Sequence, residues 1–222
     1  MTRAVHPIEV ESFAILRSRA DTSALPPLTR AVVERVVHAS ADLDYLADLV
    51  TDEQHLAAGL AALRAGAPVV TDVEMVAAGI TRRDLLGSLV CRVRDSRATS
   101  LAASAGLTRS AAAVRLALDE VGPGAVWVVG CAPTALVEVV RNAAVRPALV
   151  VGLPVGFVGA AESKALLRAS GLPQLSNVSE KGGSAVAAAA LNALLYADPP
   201  ATNLPAVDVD TAVDQPHPEE RR

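Results

Sequence analysis

Apolar residues recur at helical spacing in the first third of the chain. In residues 8–20 they fall near the i, i+3 and i+4 positions of one helix face. A valine-rich segment at 28–41 shows the same spacing directly after a pair of prolines, which is a helix-start signal. Residues 52–65 form an alanine-rich helical pattern that stops at Gly66. The pattern therefore predicts three N-terminal helices.

Short apolar, β-branched runs alternate with helical patterns over the rest of the chain. The predicted strands are 68–71, 89–93, 125–129, 148–152 and 174–178. The helical patterns between and after them are 73–78, 108–121, 134–143, 160–170 and 183–196. This alternation predicts an α/β fold of three layers, α/β/α, with a five-stranded parallel sheet and N-terminal helices before it. Ligands of such sheets bind beyond the carboxyl ends of the strands, so the loops there are the candidate sites.

The pattern also divides the chain into a body and a tail. Residues 1–196 carry all the predicted helices and strands, and 222 residues are enough for one domain with a sizeable core. Residues 197–222 contain five prolines and many charges without periodicity, so we expect a disordered C-terminal tail.

Composition narrows the classes of partner. The formal net charge is -4 and aromatic residues make up 2% of the chain, which argues against a nucleic-acid partner. No apolar run approaches the length of a membrane span, and the N-terminus lacks a signal-peptide core. The two cysteines, Cys91 and Cys131, are too few for a disulfide framework, so a cytoplasmic protein is expected.

The first candidate loop is GLPVGFVGAAESK at 152–164, between a predicted strand and a predicted helix. Its glycine spacing matches neither the dinucleotide G-x-G-x-x-G pattern nor a P-loop. Gly156 and Gly159 would let the backbone approach a ligand closely, and the helix start near residue 160 would offer N–H groups to an anion. Tight packing of the helix on the sheet explains the same small residues, and both interpretations stay open.

Two more helix starts carry candidate anion-binding groups. Lys181, Gly182 and Gly183 precede the last predicted helix, where either an anion site or a plain helix start with a solvated lysine fits. At the second start, Thr108 is a plausible N-cap, with Arg109 and Ser110 in the first turn. Arginine is disfavoured at a helix N-terminus, so Arg109 is a candidate for a carboxylate ligand, although an ordinary exposed arginine is commoner.

The polar residues around the first predicted strand carry less information. Asp72 follows that strand and could cap the helix that begins at Val73, which is a structural role. Thr81 and Arg82 lie in the loop after that helix, where position alone assigns no function.

His38 lies near the C-terminal end of the second predicted helix, where the helix dipole favours a protonated imidazole. Such a histidine could deliver a proton near neutral pH, but from the pattern alone a partly buried structural histidine is the commoner case. The histidines and cysteines are dispersed without metal-ligand spacing, so no metal is expected.

Seven segments, in order from about residue 8 to about residue 195, together resemble the precorrin-8X methylmutase family. They are HPIEVESFAILR, VVHASAD, AGAPVVTDVEMVAAGITR, GLTRSAAA, GCAPTAL, GLPVGFVGAAESK and KGGSAVAAAALNAL. The resemblance implies an isomerase of cobalamin biosynthesis that moves a methyl group from carbon 11 to carbon 12 of a corrin precursor, metal-free or cobalt-bearing, without a cofactor. It further implies an α/β fold with a five-stranded parallel sheet and a homodimer that binds the macrocycle near the subunit interface.

The resemblance also assigns residues. His38 in VVHAS matches the family's catalytic histidine, and its implied role is to protonate the conjugated ring or to hydrogen-bond to it. The substrate carries acetate and propionate side chains. The expected substrate-binding residues are Ser12, Arg17, Thr81, Arg82, Arg109, Ser110, Gly156, Gly159, Gly182 and Gly183, of which the glycines rest mainly on the physical argument above.

Two positions depart from the family's usual pattern. Cys131 stands where members often have asparagine, so a polar contact near that strand end is in doubt. Glu180 stands where a second basic residue is common, which puts one carboxylate contact in doubt. A corrinoid carrier without catalysis is the alternative function, and a nucleotide-binding α/β enzyme is a weaker third, since its glycine motifs are absent.

Overall fold

The structure is a computed structural model that describes residues 6–197, and the predicted tail lies outside this range except for its first residue. The described helices are α1 (Pro7–Arg19), α2 (Pro27–Ser40), α3 (Tyr45–Asp48), α4 (Glu53–Arg64), α5 (Glu74–Gly79), α6 (Ser96–Ala105), α7 (Arg109–Val121), α8 (Pro133–Arg141), α9 (Ala160–Ala169) and α10 (Ser184–Leu195). The strands are β1 (Leu49–Thr51), β2 (Val69–Thr71), β3 (Leu89–Cys91), β4 (Val126–Val129), β5 (Leu149–Gly152) and β6 (Gln174–Asn177). Short 3₁₀ turns lie at Arg82–Asp84 and Ala143–Val145.

One mixed sheet organises the described part of the chain, with the strand order β1-β6-β5-β4-β2-β3. Strands β2 to β6 are parallel and match the five predicted runs, so the α/β class is confirmed. The prediction of five strands was incomplete, because β1 pairs antiparallel with β6 at the edge. A three-residue strand has too few positions to show an alternation in the sequence.

The sequence pattern also missed α6, and the reason lies in its burial. Ala98 is its only buried residue, so no apolar stripe marks the helix. Its ends do carry the usual signals: the side chain of Asp95 accepts a hydrogen bond from the backbone N–H of Arg97, and Gly106 takes a left-handed conformation at the C-terminus.

Helices cover both faces of the sheet, as the three-layer prediction required. On one face, α2, α4, α5 and α10 share a core with the strands, and α1 packs on α2. On the other face, α7, α8 and α9 form the second core, with α6 packed on α7. Each of the strands β4, β5 and β6 has four residues, and all of these residues are buried, as expected for parallel strands between two helical layers.

Helix α1 is fastened to α2 by a buried carboxylate. Glu34 is 3% exposed and accepts hydrogen bonds from Arg17 Nη2 at 2.6 Å, Arg30 Nε at 2.9 Å and Thr22 Oγ1 at 2.5 Å. Burial alone would raise the pKa of Glu34, but the hydrogen bonds outweigh it and lower the pKa to about 2. This cluster fixes the position of the α1 side chains that face the end of α2.

The described residues also settle two simpler points. None of the helices between residues 6 and 197 is long and apolar enough to cross a membrane. Within the same range, no three histidine, cysteine or acidic side chains come together as a candidate metal-binding group.

We expect Glu34→Gln to lower the free energy of unfolding by about 2 kcal/mol at neutral pH, because hydrogen bonds from charged partners are lost. The ordinary glutamate pKa is near 4.5 and the folded-state pKa is about 2, so the contribution of Glu34 is complete above about pH 4.5 and disappears as the pH falls toward 2. Urea unfolding at several pH values measures this difference.

Glu11→Gln is the matched control, because Glu11 is an exposed carboxylate on α1, the helix that Glu34 holds. If the two variants lost the same stability at neutral pH, or if the deficit of Glu34→Gln persisted unchanged at about pH 3, the buried carboxylate would not hold α1.

Candidate functional site

His38 lies in the last turn of α2 and is held from two sides by α1. Its Nδ1 is 2.7 Å from Ser12 Oγ, and its ring stacks on Phe13 with 5.0 Å between ring centroids and an interplanar angle of 11°. Ser12 hydroxyl can donate to Nδ1 or accept from it, so this contact persists in both protonation states of the imidazole. Nε2 has no hydrogen bond within the described chain and is the nitrogen left for a ligand.

The half-buried ring of His38 borders a groove of about 120 Å³ between α1 and the segment that follows α2. Ser12, Leu16, Val37 and Leu43 contribute to its walls, which are largely apolar. Sites that enclose drug-sized ligands usually measure about 300 Å³ or more, so this groove by itself is too small to enclose a ligand of that size.

A row of aromatic and cationic side chains continues from His38 along α2. The guanidinium of Arg35 lies over the ring of Phe13 at 4.9 Å and over the ring of Tyr196 at 5.2 Å. Tyr196 hydroxyl is hydrogen-bonded to Thr81 Oγ1, and the backbone N–H of Thr81 donates to Asn192 Oδ1 at 2.9 Å. The row therefore connects two predicted substrate contacts, near His38 and at Thr81.

Sequence reasoning did not single out Phe13, Arg35 or Tyr196 as site residues. The only available signal was that Arg35 precedes His38 by three residues and so shares its helix face. Arg82 follows Thr81 and is exposed, and its side chain has no hydrogen bond or ion pair to the described residues.

Arg17, which was expected to supply charge to the substrate, is already paired within the chain. Its Nε and Nη2 both donate to the carboxylate of Glu34, at 3.1 and 2.6 Å. The hydrogen bond to Glu34 raises the pKa of Arg17, as expected for a guanidinium committed to a buried partner. Arg17 therefore helps to position α1, and its contact with the substrate stays a prediction.

The glycines of the two candidate loops have the expected left-handed or extended positive φ angles. These angles are +138° at Gly156, +79° at Gly159, +154° at Gly182 and +130° at Gly183. A Cβ on Gly182 would lie 2.3 Å from the carbonyl oxygen of Leu153. Gly182 is therefore needed for close approach to the neighbouring loop, and its expected contact with a ligand stays a prediction.

Backbone hydrogen bonds join these two loops into one unit. Gly156 N–H donates to the Glu180 carbonyl at 3.1 Å, and Gly183 N–H donates to the Leu153 carbonyl at 2.9 Å. We call residues 152–159 and 178–183 the paired glycine loops. They follow β5 and β6, so they lie at the carboxyl edge of the sheet where ligand sites are expected.

The paired glycine loops lead into two helices whose starts are open. Among the described helices of eight or more residues, α1, α2, α4, α6 and α7 each have a side-chain acceptor at their first N–H groups. The acceptors are, in that order, His6, Glu53, Asp52, Asp95 and Thr108. Helix α8 begins with a proline and has no side-chain cap. Helices α9 and α10 have glycine at the N-cap and no side-chain acceptor within the described chain. Their first N–H groups are therefore available to an anion.

Asp72 does not cap the helix that was expected. Its carboxylate accepts hydrogen bonds from the backbone N–H groups of Gly130, Cys131 and Ala132 at 3.0, 2.9 and 2.7 Å. It therefore holds the turn between β4 and α8, while neither α5 nor α8 receives a side-chain cap. Burial raises the pKa of Asp72. The polar contact at this strand end comes from Asp72, whatever side chain stands at position 131.

Lys181 is partly exposed, but its ammonium is already bound to two carboxylates. Its Nζ donates to Asp42 Oδ2 at 2.7 Å and to Asp44 Oδ2 at 2.6 Å, in the segment just after α2. The hydrogen bonds to these carboxylates raise the pKa of Lys181. This pair of ion pairs connects the second glycine loop to the helix end that carries His38.

The start of α7 has the predicted form. Thr108 Oγ1 accepts a hydrogen bond from Ala111 N–H at 3.2 Å and is 2.7 Å from Thr134 Oγ1. Arg109 is exposed, and its side chain has no hydrogen bond or ion pair to the described residues. Ser110 beside it is partly exposed. Thr108 and Gly159 line one cleft of about 620 Å³ between α7, α8 and α9.

The predicted site residues thus fall into neighbouring groups at the ends of α2, α7, α9 and α10. Ser12 and His38 are in direct contact, and Thr81 joins them through the aromatic row. Gly156, Gly182 and Gly183 belong to one loop unit, while Gly159 lies with the start of α7 on the other face of the sheet.

Comparison with known proteins matches this arrangement to one family. The family model described as precorrin-8X methylmutase matches residues 7–197. A precorrin-8X methylmutase from Sinorhizobium sp is 43% identical over 190 residues, which cover 82% of this chain and 90% of that protein. A cobalt-precorrin-8 methylmutase from Salmonella typhimurium is 41% identical, over 85% of this chain and 93% of that protein.

A solved structure agrees with the sequence comparisons. The crystal structure of precorrin-8x methyl mutase from Thermus thermophilus superposes with a TM-score of 0.78 and 36% identity, covering 86% of this chain and 96% of that one. The match of fold, length and sequence extends over nearly all the described residues. The chain belongs to the precorrin-8X methylmutase family.

Proposed function

We propose that this protein is the isomerase that moves a methyl group from carbon 11 to carbon 12 of precorrin-8X or its cobalt form, with His38 as the proton donor. The observation that carries the proposal is the setting of His38, whose Nδ1 meets Ser12, whose ring rests on Phe13, and whose Nε2 is left for a ligand. The family relationship accounts for the isomerase class and for the place in cobalamin biosynthesis.

The proposed chemistry is an exchange of bonds within one molecule. The bond between carbon 11 and the methyl group breaks as the bond to carbon 12 forms, and the double bonds of the ring shift to compensate. A proton placed by His38 on a ring nitrogen, or a hydrogen bond to it, makes the conjugated system poorer in electrons. The shift then needs less charge separation, and the proton returns to His38 afterwards. Positioning of the ring against the groove supplies the rest.

The substrate's acetate and propionate groups account for the surrounding features. Arg82 and Arg109 are exposed cations without partners in the described chain, and a guanidinium fork suits a carboxylate. The open starts of α9 and α10, which follow Gly159 and Gly183, suit further carboxylates. In this proposal Ser12 holds the His38 ring, while Thr81 and Ser110 contribute hydroxyl groups at the edge of the bound macrocycle.

We further propose that two copies form a homodimer and that the partner completes the substrate site. The groove beside His38 is too small for a macrocycle. Phe157 and Val158 in the first glycine loop are 95% and 87% exposed, which is unusual for large apolar side chains that lie together. The proposal also takes residues 1–196 as one domain and the cytoplasm as the site of action, where the free thiols of Cys91 and Cys131 stay reduced.

A carrier that binds corrinoids without catalysis is not favoured. The curated relatives compared above, from two bacteria, are both named as methylmutases, and the match covers more than four fifths of this chain. A nucleotide-binding enzyme is disfavoured by the same comparisons.

We expect His38→Ala to slow conversion of precorrin-8X by about 10²- to 10⁴-fold, because the general acid is lost. The visible absorption spectrum measures the reaction, since migration of the methyl group changes ring conjugation. His55→Ala is the control, because His55 lies on α4, away from the groove residues. Conversion by His38→Ala at the wild-type rate would refute the mechanism, and a spectrum that changes once on binding and then stays fixed in wild type would indicate a carrier.

For Ser12→Ala we expect kcat to fall by roughly tenfold to hundredfold and the pH profile of kcat to move, because His38 loses the partner of its Nδ1. Stopped-flow spectra over a range of pH values report both effects. Ser18→Ala is the matched control, since Ser18 on the same helix donates only to the backbone carbonyl of Ile15. An unaltered pH profile in Ser12→Ala would show that the contact has no bearing on the acid.

Phe157→Asp should convert the homodimer to monomers, because a charge on the apolar loop opposes its burial against a second copy. Light scattering during gel filtration measures the mass, which we expect to be about twice 22.8 kDa for wild type. Leu86→Asp serves as the control, because Leu86 is 73% exposed but lies outside the glycine loops. A wild-type monomer, or a Phe157→Asp dimer, would contradict the proposed interface.

A further inference from the structure

Lys164 is a buried cation for which the proposed reaction has no use. It lies on α9, at the end of the GLPVGFVGAAESK segment, and its side chain is fully buried, at 0% exposure. Burial of an ammonium group costs several kcal/mol unless it is well compensated, so lysine is almost never retained in a core without a specific partner set.

The surroundings of the ammonium supply one acceptor for each of its three N–H groups. Nζ donates to the Lys181 carbonyl at 2.7 Å, to Asn177 Oδ1 at 2.8 Å and to the Pro154 carbonyl at 3.3 Å. These partners are neutral oxygens, and no carboxylate lies within ion-pair distance of Nζ in the described chain. The number of donors therefore matches the number of acceptors only while the group stays protonated.

The three acceptors belong to the paired glycine loops and the strand end between them. Pro154 is in the loop after β5, Lys181 is in the loop after β6, and Asn177 is the last residue of β6. The same Lys181 holds Asp42 and Asp44 through its side chain, in the segment that follows His38. Lys164 is thus the point at which both glycine loops meet, one residue away from the connection to the His38 helix.

We propose that Lys164 is a positioning residue, whose buried ammonium holds the paired glycine loops in the arrangement that receives the substrate's carboxylates. The inference rests on the proposed function and adds a dependence of substrate affinity on one buried charge. A neutral amine would keep two N–H donors and turn a lone pair toward the third oxygen, so one of the three hydrogen bonds would be lost. The positive charge also contacts the loops that lead into the open starts of α9 and α10, where it favours bound anions.

The charged groups around Lys164 set the pH range of this effect. Burial lowers its pKa to about 8, against the raising effects of Asp48 and Glu180, while Arg168 lowers it further. Lys181 keeps its proton, because its hydrogen bonds to Asp42 and Asp44 raise its pKa. In the unfolded chain Lys164 keeps its proton up to its ordinary pKa near 10.5, so its contribution to the free energy of unfolding increases between about pH 8 and 10.5.

The pH dependence of fold stability and that of substrate affinity together distinguish a positioning role for Lys164 from a merely structural one. Above about pH 8 the loss of the proton relieves the cost of burying a charge, so fold stability gains from Lys164. Substrate affinity falls over the same range, because the loops lose their third hydrogen bond and the charge beneath them. A residue that served only the fold would not make these two quantities move in opposite directions.

The test measures KM and kcat for precorrin-8X from about pH 7 to 9.5 in the full-length wild type, Lys164→Met and Arg168→Met. We expect the wild-type KM to rise about tenfold over this range with little change in kcat. Lys164→Met should show the raised KM already at about pH 7 and no further rise. Arg168→Met is the matched control, since Arg168 lies one turn further along α9 and donates to Asn177 carbonyl and Ser176, not to the loops. Because Arg168 also lowers the pKa of Lys164, the rise in KM should persist in this variant but begin at a higher pH.

A second measurement does not depend on turnover. Amide hydrogen exchange at about pH 7 should be about tenfold faster in 152–159 and 178–183 for Lys164→Met than for Arg168→Met. Lys164→Gln provides the same comparison if the methionine variant does not fold. Unchanged exchange in both loops, or a wild-type KM pH dependence that persists in Lys164→Met, would overturn the proposal. Wild type that fails to convert precorrin-8X would instead refute the proposed function and leave the exchange result to decide the role of Lys164.

Discussion

The close packing of α2 on the alanine-rich helix α10 is the constraint on which the site depends. Seven of the twelve residues of α10 are alanine or serine, and nine of its residues are buried. Small side chains let the two helices approach closely, so Val32 and Val36 of α2 share one core with Ala187 and Leu191. This contact fixes the two ends of the aromatic row at once, because His38 and Arg35 belong to α2 while Tyr196 directly follows α10.

The consequence for the site is that most of its charges are already committed to one another. Arg17 and Arg30 donate hydrogen bonds to Glu34, Arg35 donates to Glu9, and Lys181 donates to two aspartates. These pairs keep α1, the end of α2 and the second glycine loop in place. Of the arginines that the sequence put forward for the substrate, Arg82 and Arg109 alone are left without a partner in the described part of the chain. In such a site, one set of charged side chains holds the helices and loops together, and a different set is left to bind the ligand.

Periodicity was sufficient for most of the fold, because the five parallel strands and the long helices each carry an apolar face. It failed for β1, which is too short, and for α6, which buries only Ala98. Partners distant in sequence could not be predicted from local signals. Lys181 and Asp42 are 139 residues apart, and Asp72 reaches the start of α8 instead of its own helix. His38 stood out only through the family resemblance, since nothing in VVHAS reveals that Ser12 and Phe13 will flank the ring.

The scarcity of aromatic residues has an optical consequence. Trp127 is the single tryptophan of the chain, and it is 1% exposed in β4, the strand that ends beside the turn held by Asp72. Its near-ultraviolet emission therefore comes from one fixed place in the middle of the sheet. A conjugated tetrapyrrole absorbs light in the range where indole emits, so a bound macrocycle at the sheet edge would quench this emission by energy transfer. The enzyme thus carries its own fluorescent reporter of substrate occupancy, with no label to perturb the site.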